Sequence, residues 1–145
     1  MLLHSGYGLG MAEPAHLGQH AVLTLSAGPE IVRAARHFVR ECLAGWRMQP
    51  DLSSDAALLV SELVTNALRH GPPPVYLDVS LSRDRVRISV ADSSLAEPRA
   101  LVPGLWSESG RGLALLDAMA AAWGIDVQPP GKWVWCELRR RDEIA

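Results

Sequence analysis

The run Leu58-Leu59-Val60-Ser61-Glu62-Leu63-Val64-Thr65-Asn66-Ala67-Leu68-Arg69-His70-Gly71 sets a carboxylate, an amide and an imidazole at i, i+4 and i+8. At about 100° per residue, Glu62, Asn66 and His70 drift only about 80° around a helix, so they form one polar stripe. Ala57, Val60, Val64, Ala67 and Leu68 lie on the other side as an apolar backing. A carboxylate in such a stripe can take a proton from a hydroxyl group or a water. An amide oxygen suits Mg²⁺, a hard octahedral ion that takes few protein ligands and several from water and phosphate.

Two further segments carry chemistry. Ile88-Ser-Val-Ala-Asp92-Ser-Ser94 ends an apolar run on an acidic residue, and Ser109-Gly110-Arg111-Gly112-Leu113 opens a helix with glycines. Gly110 and Gly112 let backbone N–H groups approach a phosphate, and the helix beyond them adds the positive end of its dipole. Arg111 stands where a guanidinium would meet phosphate oxygens.

Taken singly, each feature has a plainer reading. Glu62 and Asn66 fit a solvated helix face, and His70 fits the last carbonyls and the negative dipole end of its helix. Asp92 is a common turn residue and Gly-Arg-Gly a common cap. His70 is therefore given at most a peripheral role. Glu62 and His70 are not read as a zinc site, because no further Cys or His has ligand spacing near them.

The elements that must position these residues follow from periodicity. Residues 1–20 are rich in Gly and His, show no sustained period, and are read as a tail. Ala21–Leu25 reads as a strand. Glu30–Trp46 carries Ile31, Val32, Ala35, Phe38, Val39, Cys42, Leu43 and Trp46 at helical spacing, with Arg33, Arg36, Arg40 and Arg47 off that stripe. Ser53 or Ser54 is expected to cap the second helix, which Gly71 and the three prolines after it stop. Val75–Ser82 and Val86–Ala91 read as a hairpin. Residues 92–109 read as a long loop, Leu113–Ala122 as a third helix, and Ile125–Gln128 and Trp133–Leu138 as the last strands, joined through Pro129-Pro130-Gly131. Trp133 and Trp135 share one face of their strand, a pattern read as packing. The expected architecture is α+β, a two-layer sandwich of a mixed, mostly antiparallel sheet covered on one face by helices.

The chain has 145 residues, 48% of them hydrophobic, and a formal charge of −2, which suits one domain with a real core. The charge balance gives no case for nucleic acid or membrane as a direct partner. No apolar run reaches the roughly 20 residues of a membrane span, and no basic-then-apolar leader is seen, so the cytoplasm is the expected compartment. Cys42 and Cys136 have no local CxxC partner and are expected as free thiols.

The ordered set of motifs resembles the ATP-binding domain of the GHKL superfamily, which includes histidine-kinase catalytic domains and gyrase, and whose architecture is the Bergerat fold. Within it, the chain is most similar to the stand-alone anti-sigma factor serine/threonine kinases of actinobacterial type. Glu62-Leu-Val-Thr-Asn-Ala-Leu-Arg-His70 resembles the family's N box, Val90-Ala-Asp92-Ser-Ser94 its first glycine box and Gly110-Arg111-Gly112-Leu113 its second. Gly131-Lys-Trp-Val-Trp-Cys-Glu-Leu138 resembles its last strand, and the resemblance spans residues 21–139, leaving 140–145 as a tail. It implies that ATP and Mg²⁺ bind, with Asn66 on the metal, Glu62 as base, and Asp92 accepting from the adenine amino group. Ser94, Gly110, Arg111, Gly112 and Leu113 line the nucleotide, and residues 95–109 form the lid. Ser94 and Ala96 stand where the broader superfamily's D-x-G-x-G has glycines. The implied partners are a sigma factor and a STAS-type antagonist, phosphorylated on a serine, with a homodimer as the implied assembly. The phospho-acceptor helical domain of a two-component histidine kinase is not found in the sequence.

Overall fold

A computed structural model describes residues 19–26, 28–92, 111–128 and 131–141. Alternating apolar residues build five strands: β1 (His20–Leu25), β2 (Val75–Leu81), β3 (Arg85–Asp92), β4 (Ala122–Gln128) and β5 (Gly131–Arg139). They form one sheet in the order β1-β2-β3-β5-β4, and all four pairings are antiparallel. No parallel pair, as a mixed sheet would contain, occurs among the described strands.

The period of two sorts the sheet's faces. Ala21, Leu23 and Leu25 of β1, Val75, Leu77 and Val79 of β2, Val86, Ile88 and Val90 of β3, and Val134, Cys136 and Leu138 of β5 all point to one buried side. The register aligns them in rows, such as Leu23, Leu77, Val90 and Val134. Helices α1 (Ile31–Gly45) and α2 (Pro50–His70) pack against each other, and α2 packs on β3. The third helix, α3 (Arg111–Met119), packs on α2 and β4. Phe38, Leu43, Leu52, Leu59, Leu63 and Leu116 fill the space between helices and sheet.

Several boundaries differ from the sequence expectation. Helix α2 starts at Pro50, with Gln49 as N-cap, so Ser53 and Ser54 lie inside it. Proline at the first helical position lacks only an N–H that would be orphaned there anyway, and its fixed φ already suits the helix. Helix α1 ends at Gly45, one residue short of the expected Trp46, in a closed cap: Met48 N–H donates to the Leu43 carbonyl and Arg47 N–H to that of Ala44. This is a Schellman arrangement, and its left-handed position is held by Arg47 at φ 66° rather than by a glycine. Helix α3 ends at Met119, not Ala122, because Ala121 N–H donates to the Glu137 carbonyl and the chain enters the sheet.

The two ends of the domain are also more anchored than a tail reading suggests. His20 already belongs to β1 and contacts Asp78 at 2.8 Å. Arg141 spans Asp51 and Asp55 at the start of α2, at 3.1 and 3.2 Å. Trp133 and Trp135 pack on the sheet's open face, not in the core, since Val134 and Cys136 between them take the inward positions. Residues 95–109 and Pro129-Pro130 lie outside the described residues.

Candidate functional site

The amphipathic period of α2 produces the polar stripe. Glu62, Asn66 and His70 are each half-buried, while Leu63, Val64 and Ala67 between them are buried. The buried arc is wider than the expected backing and includes Leu52, Ala56 and Leu59, because α2 is clasped by α1 on one side and the sheet on another. Ser61, beside Glu62, donates to the Ala57 carbonyl at 2.8 Å and receives Arg36 at 3.3 Å, which ties α1 to the same turn.

Asp92 is the last residue of β3 and follows Val90 on the helix-facing side of the sheet. It is 2% exposed, and it is the one buried charged residue among the described residues. Its register partner is Lys132, whose Nζ lies 3.2 Å from Oδ2. Lys132 alternates with Val134, Cys136 and Leu138, and this puts the only lysine of the chain on the apolar face of β5. A buried charge is tolerated when paired and hydrogen-bonded, which is what this ion pair provides. Sequence reasoning carried Lys132 only as part of a motif. The signal was available, because a lysine in phase with inward-facing apolar residues of a strand must find a partner inside.

Chain continuity brings the chemical segments to one end of the sheet. His70 precedes the start of β2 by only a short link, and Tyr76 pairs with Ala91, next to Asp92. The C-terminal part of α2 is therefore held near the end of β3 that carries Asp92. Helix α3 returns tightly into β4, whose Ala122 pairs with Glu137, far along β5 from Lys132. Helix α3 begins with Arg111, Gly112 and Leu113 and packs on α2 and β4. Ser94 and Gly110 lie outside the described residues.

The arrangement offers a hard oxygen ligand and a carboxylate on α2, a buried carboxylate with its lysine partner at the strand ends, and a helix N-terminus on α3. These residue types suit a nucleotide with its metal: the amide oxygen of Asn66 for Mg²⁺, the helix N-terminus for phosphate, and the buried polar pair for a base edge. No group of three or more His, Cys, Asp or Glu with metal-binding geometry occurs among the described residues. No helix among them is long and apolar enough to cross a membrane.

Comparison with known proteins identifies the family and the fold. A family model described as a histidine kinase-like ATPase domain matches residues 25–138, a stretch that holds Glu62, Asn66, Asp92, Arg111 and Lys132. An uncharacterized protein of Streptomyces coelicolor is 36% identical over 84 residues, covering 54% of this chain and 79% of that protein. The crystal structure of the RsbU and RsbW domains of Rv1364c from Mycobacterium tuberculosis matches the fold with a TM-score of 0.64 over 87% of this chain, at 22% identity. The chain spans 34% of the length of that structure.

Proposed function

The chain belongs to the histidine kinase-like ATPase domain family, and on that premise we propose that it is an ATP-binding regulatory protein. In its fuller form it is an anti-sigma factor that phosphorylates a serine of a STAS-type antagonist and sequesters a sigma factor. The observation that carries the reading is the buried Asp92, with its counter-charge, at the end of β3 near which the link from α2 into β2 holds the C-terminal part of α2. A polar pair buried there is costly to the fold and suits the edge of a base.

When bound, ATP with Mg²⁺ would supply an electrophilic γ-phosphoryl group, with ADP as the leaving group. Asn66 would hold the metal through its amide oxygen. Glu62, one turn earlier and about 6 Å along the helix axis, takes the proton from the acceptor hydroxyl. The first residues of α3 offer backbone N–H groups to the phosphates. Positioning and electrostatics carry most of the catalysis in phosphoryl transfer, which suits a site with so few reacting side chains.

A second reading is an ATP-binding switch without turnover. It is favoured by Ser94 and Ala96, which put side chains where the superfamily's first glycine box has bare backbone. Titration calorimetry with Mg-ATP, followed by transfer of labelled γ-phosphate to a STAS-domain acceptor, separates the two. Binding with transfer supports the kinase, phosphate release without transfer supports a simple ATPase instead, binding without either supports the switch, and no binding overturns every ATP reading.

A further inference from the structure

Lys132 is the last place a lysine would be put for solubility. It sits on the helix-facing side of β5, its side chain is 13% exposed, and it meets a carboxylate that is 2% exposed. The two residues are direct register partners on neighbouring strands, so their Cβ atoms leave the backbone side by side and on the same face. An ammonium has three donors and a carboxylate about four lone-pair sites, so an ion pair of this kind can take further hydrogen bonds. A fixed acceptor and a fixed donor thus stand adjacent at the end of the sheet where the nucleotide is proposed to bind.

Resting on that reading of the site, we infer that Lys132 is a specificity-determining residue that works beside Asp92 to read the base edge. Asp92 accepts from an exocyclic amino group, and Lys132 Nζ donates to the ring nitrogen next to it. The six-membered ring of adenine presents that order, an amino donor beside a bare ring-nitrogen acceptor. Hypoxanthine and guanine present the reverse, a carbonyl acceptor beside an N–H donor. Against the reversed edge the ammonium would face an N–H and the carboxylate a carbonyl oxygen, two like-with-like contacts in a buried place, and unpaired buried polar groups are what make such rejection strong. Lys132 has a second effect through the same contact. It neutralises the Asp92 charge and fixes the orientation of that carboxylate, so its removal weakens the acceptor as well.

The test measures equilibrium binding of ATP, 1-deaza-ATP (which lacks the ring-nitrogen acceptor) and ITP (which carries the reversed edge) to the full chain in the presence of Mg²⁺. The wild-type protein is expected to bind 1-deaza-ATP about ten- to a hundredfold more weakly than ATP, since a hydrogen bond to a charged donor is lost, and to bind ITP more weakly still. In Lys132→Met the ratio of 1-deaza-ATP to ATP affinity should collapse to about one, because the donor it reports is gone. Lys132→Arg, which keeps a cationic donor, should restore it.

A merely structural lysine would lower the affinity for all three nucleotides together and leave the ratio intact. If Lys132→Met melts at the assay temperature, the wild-type ratio decides alone. A wild-type ratio of one, or a ratio unchanged in Lys132→Met, overturns the inference while ATP binding, and with it the proposed function, stands. Absence of binding by any of the three nucleotides overturns both.

Discussion

Trp135 lies so close over Gly124 that a Cβ at that glycine would stand 2.7 Å from Cζ2 of the indole. The ring is held from β3 as well, with the Arg87 guanidinium 4.0 Å from its centroid. Arg87 in turn reaches Glu137 at 3.0 Å, and Arg85 reaches the other oxygen of that carboxylate at 3.1 Å. Glycine at position 124 is what lets the tryptophan lie flat across two strands. Gly124→Ala should therefore displace the ring and cost about 1–3 kcal/mol, the usual range for overpacking. Urea denaturation checks the stability, and a red shift of the tryptophan emission in the folded variant checks the displacement. An unchanged midpoint and emission maximum would show that the ring has room to move.

Arg47 occupies a left-handed backbone position at φ 66° in the cap of α1. Its side chain is exposed, and the cap bonds are made by backbone groups alone. A β-carbon is disfavoured there by about 1–2 kcal/mol. Part of that is offset by the greater unfolded-state entropy of glycine, so Arg47→Gly should stabilise the fold by about 0.5–1 kcal/mol. Raised midpoints in both thermal and urea melts are the expected result.

Cys42 and Cys136 are both buried free thiols, and burial pushes each up to about 12 from an ordinary value of 9.0. The thiolate is the reactive form, so neither should react with a disulfide reagent at pH 8 until the protein unfolds. The linkage has a definite sign. Above pH 9 the unfolded chain releases these protons while the folded chain keeps them, so the stability they contribute is complete below about pH 9 and is lost as pH rises toward about 12. Urea melts across that window, compared with those of a Cys42→Ala/Cys136→Ala variant, isolate their share.

Glu62 and Asn66 share a helix stripe but have different proposed tasks, and their variants should separate. Glu62→Gln should retain Mg-ATP affinity and lower phosphate transfer by about 10²–10⁴-fold, the usual contribution of a general base. Asn66→Ala should weaken binding of Mg-ATP more than that of metal-free ATP. Calorimetry with and without Mg²⁺, together with a transfer assay, reads both. Equal loss of affinity in the two variants would remove the division of roles.

Much of the fold was legible because periodicity is local. The amphipathic repeat of α1, the alternation in β1 to β3 and β5, and the proline stop after Gly71 each follow from a few neighbouring residues. The misreadings came where a local preference lost to a distant partner. The alanines after Met119 favour helix, yet the Glu137 carbonyl draws Ala121 into the sheet. Two serines suggested a cap, yet Pro50 opened the helix earlier.

By itself the sequence marked residues whose types could carry chemistry and the kind of element on which Glu62 and Asn66 sit, since their spacing fixes a shared helix face wherever that helix is packed. The tertiary structure decided which of them stand together. Only strand pairing set Lys132 opposite Asp92 across a gap of many residues, and only the burial of both turned a surface-type lysine into the partner of an internal carboxylate. Register is a long-range property. It is selected by the hydrophobic faces of several strands at once, so one strand's sequence does not disclose its neighbour.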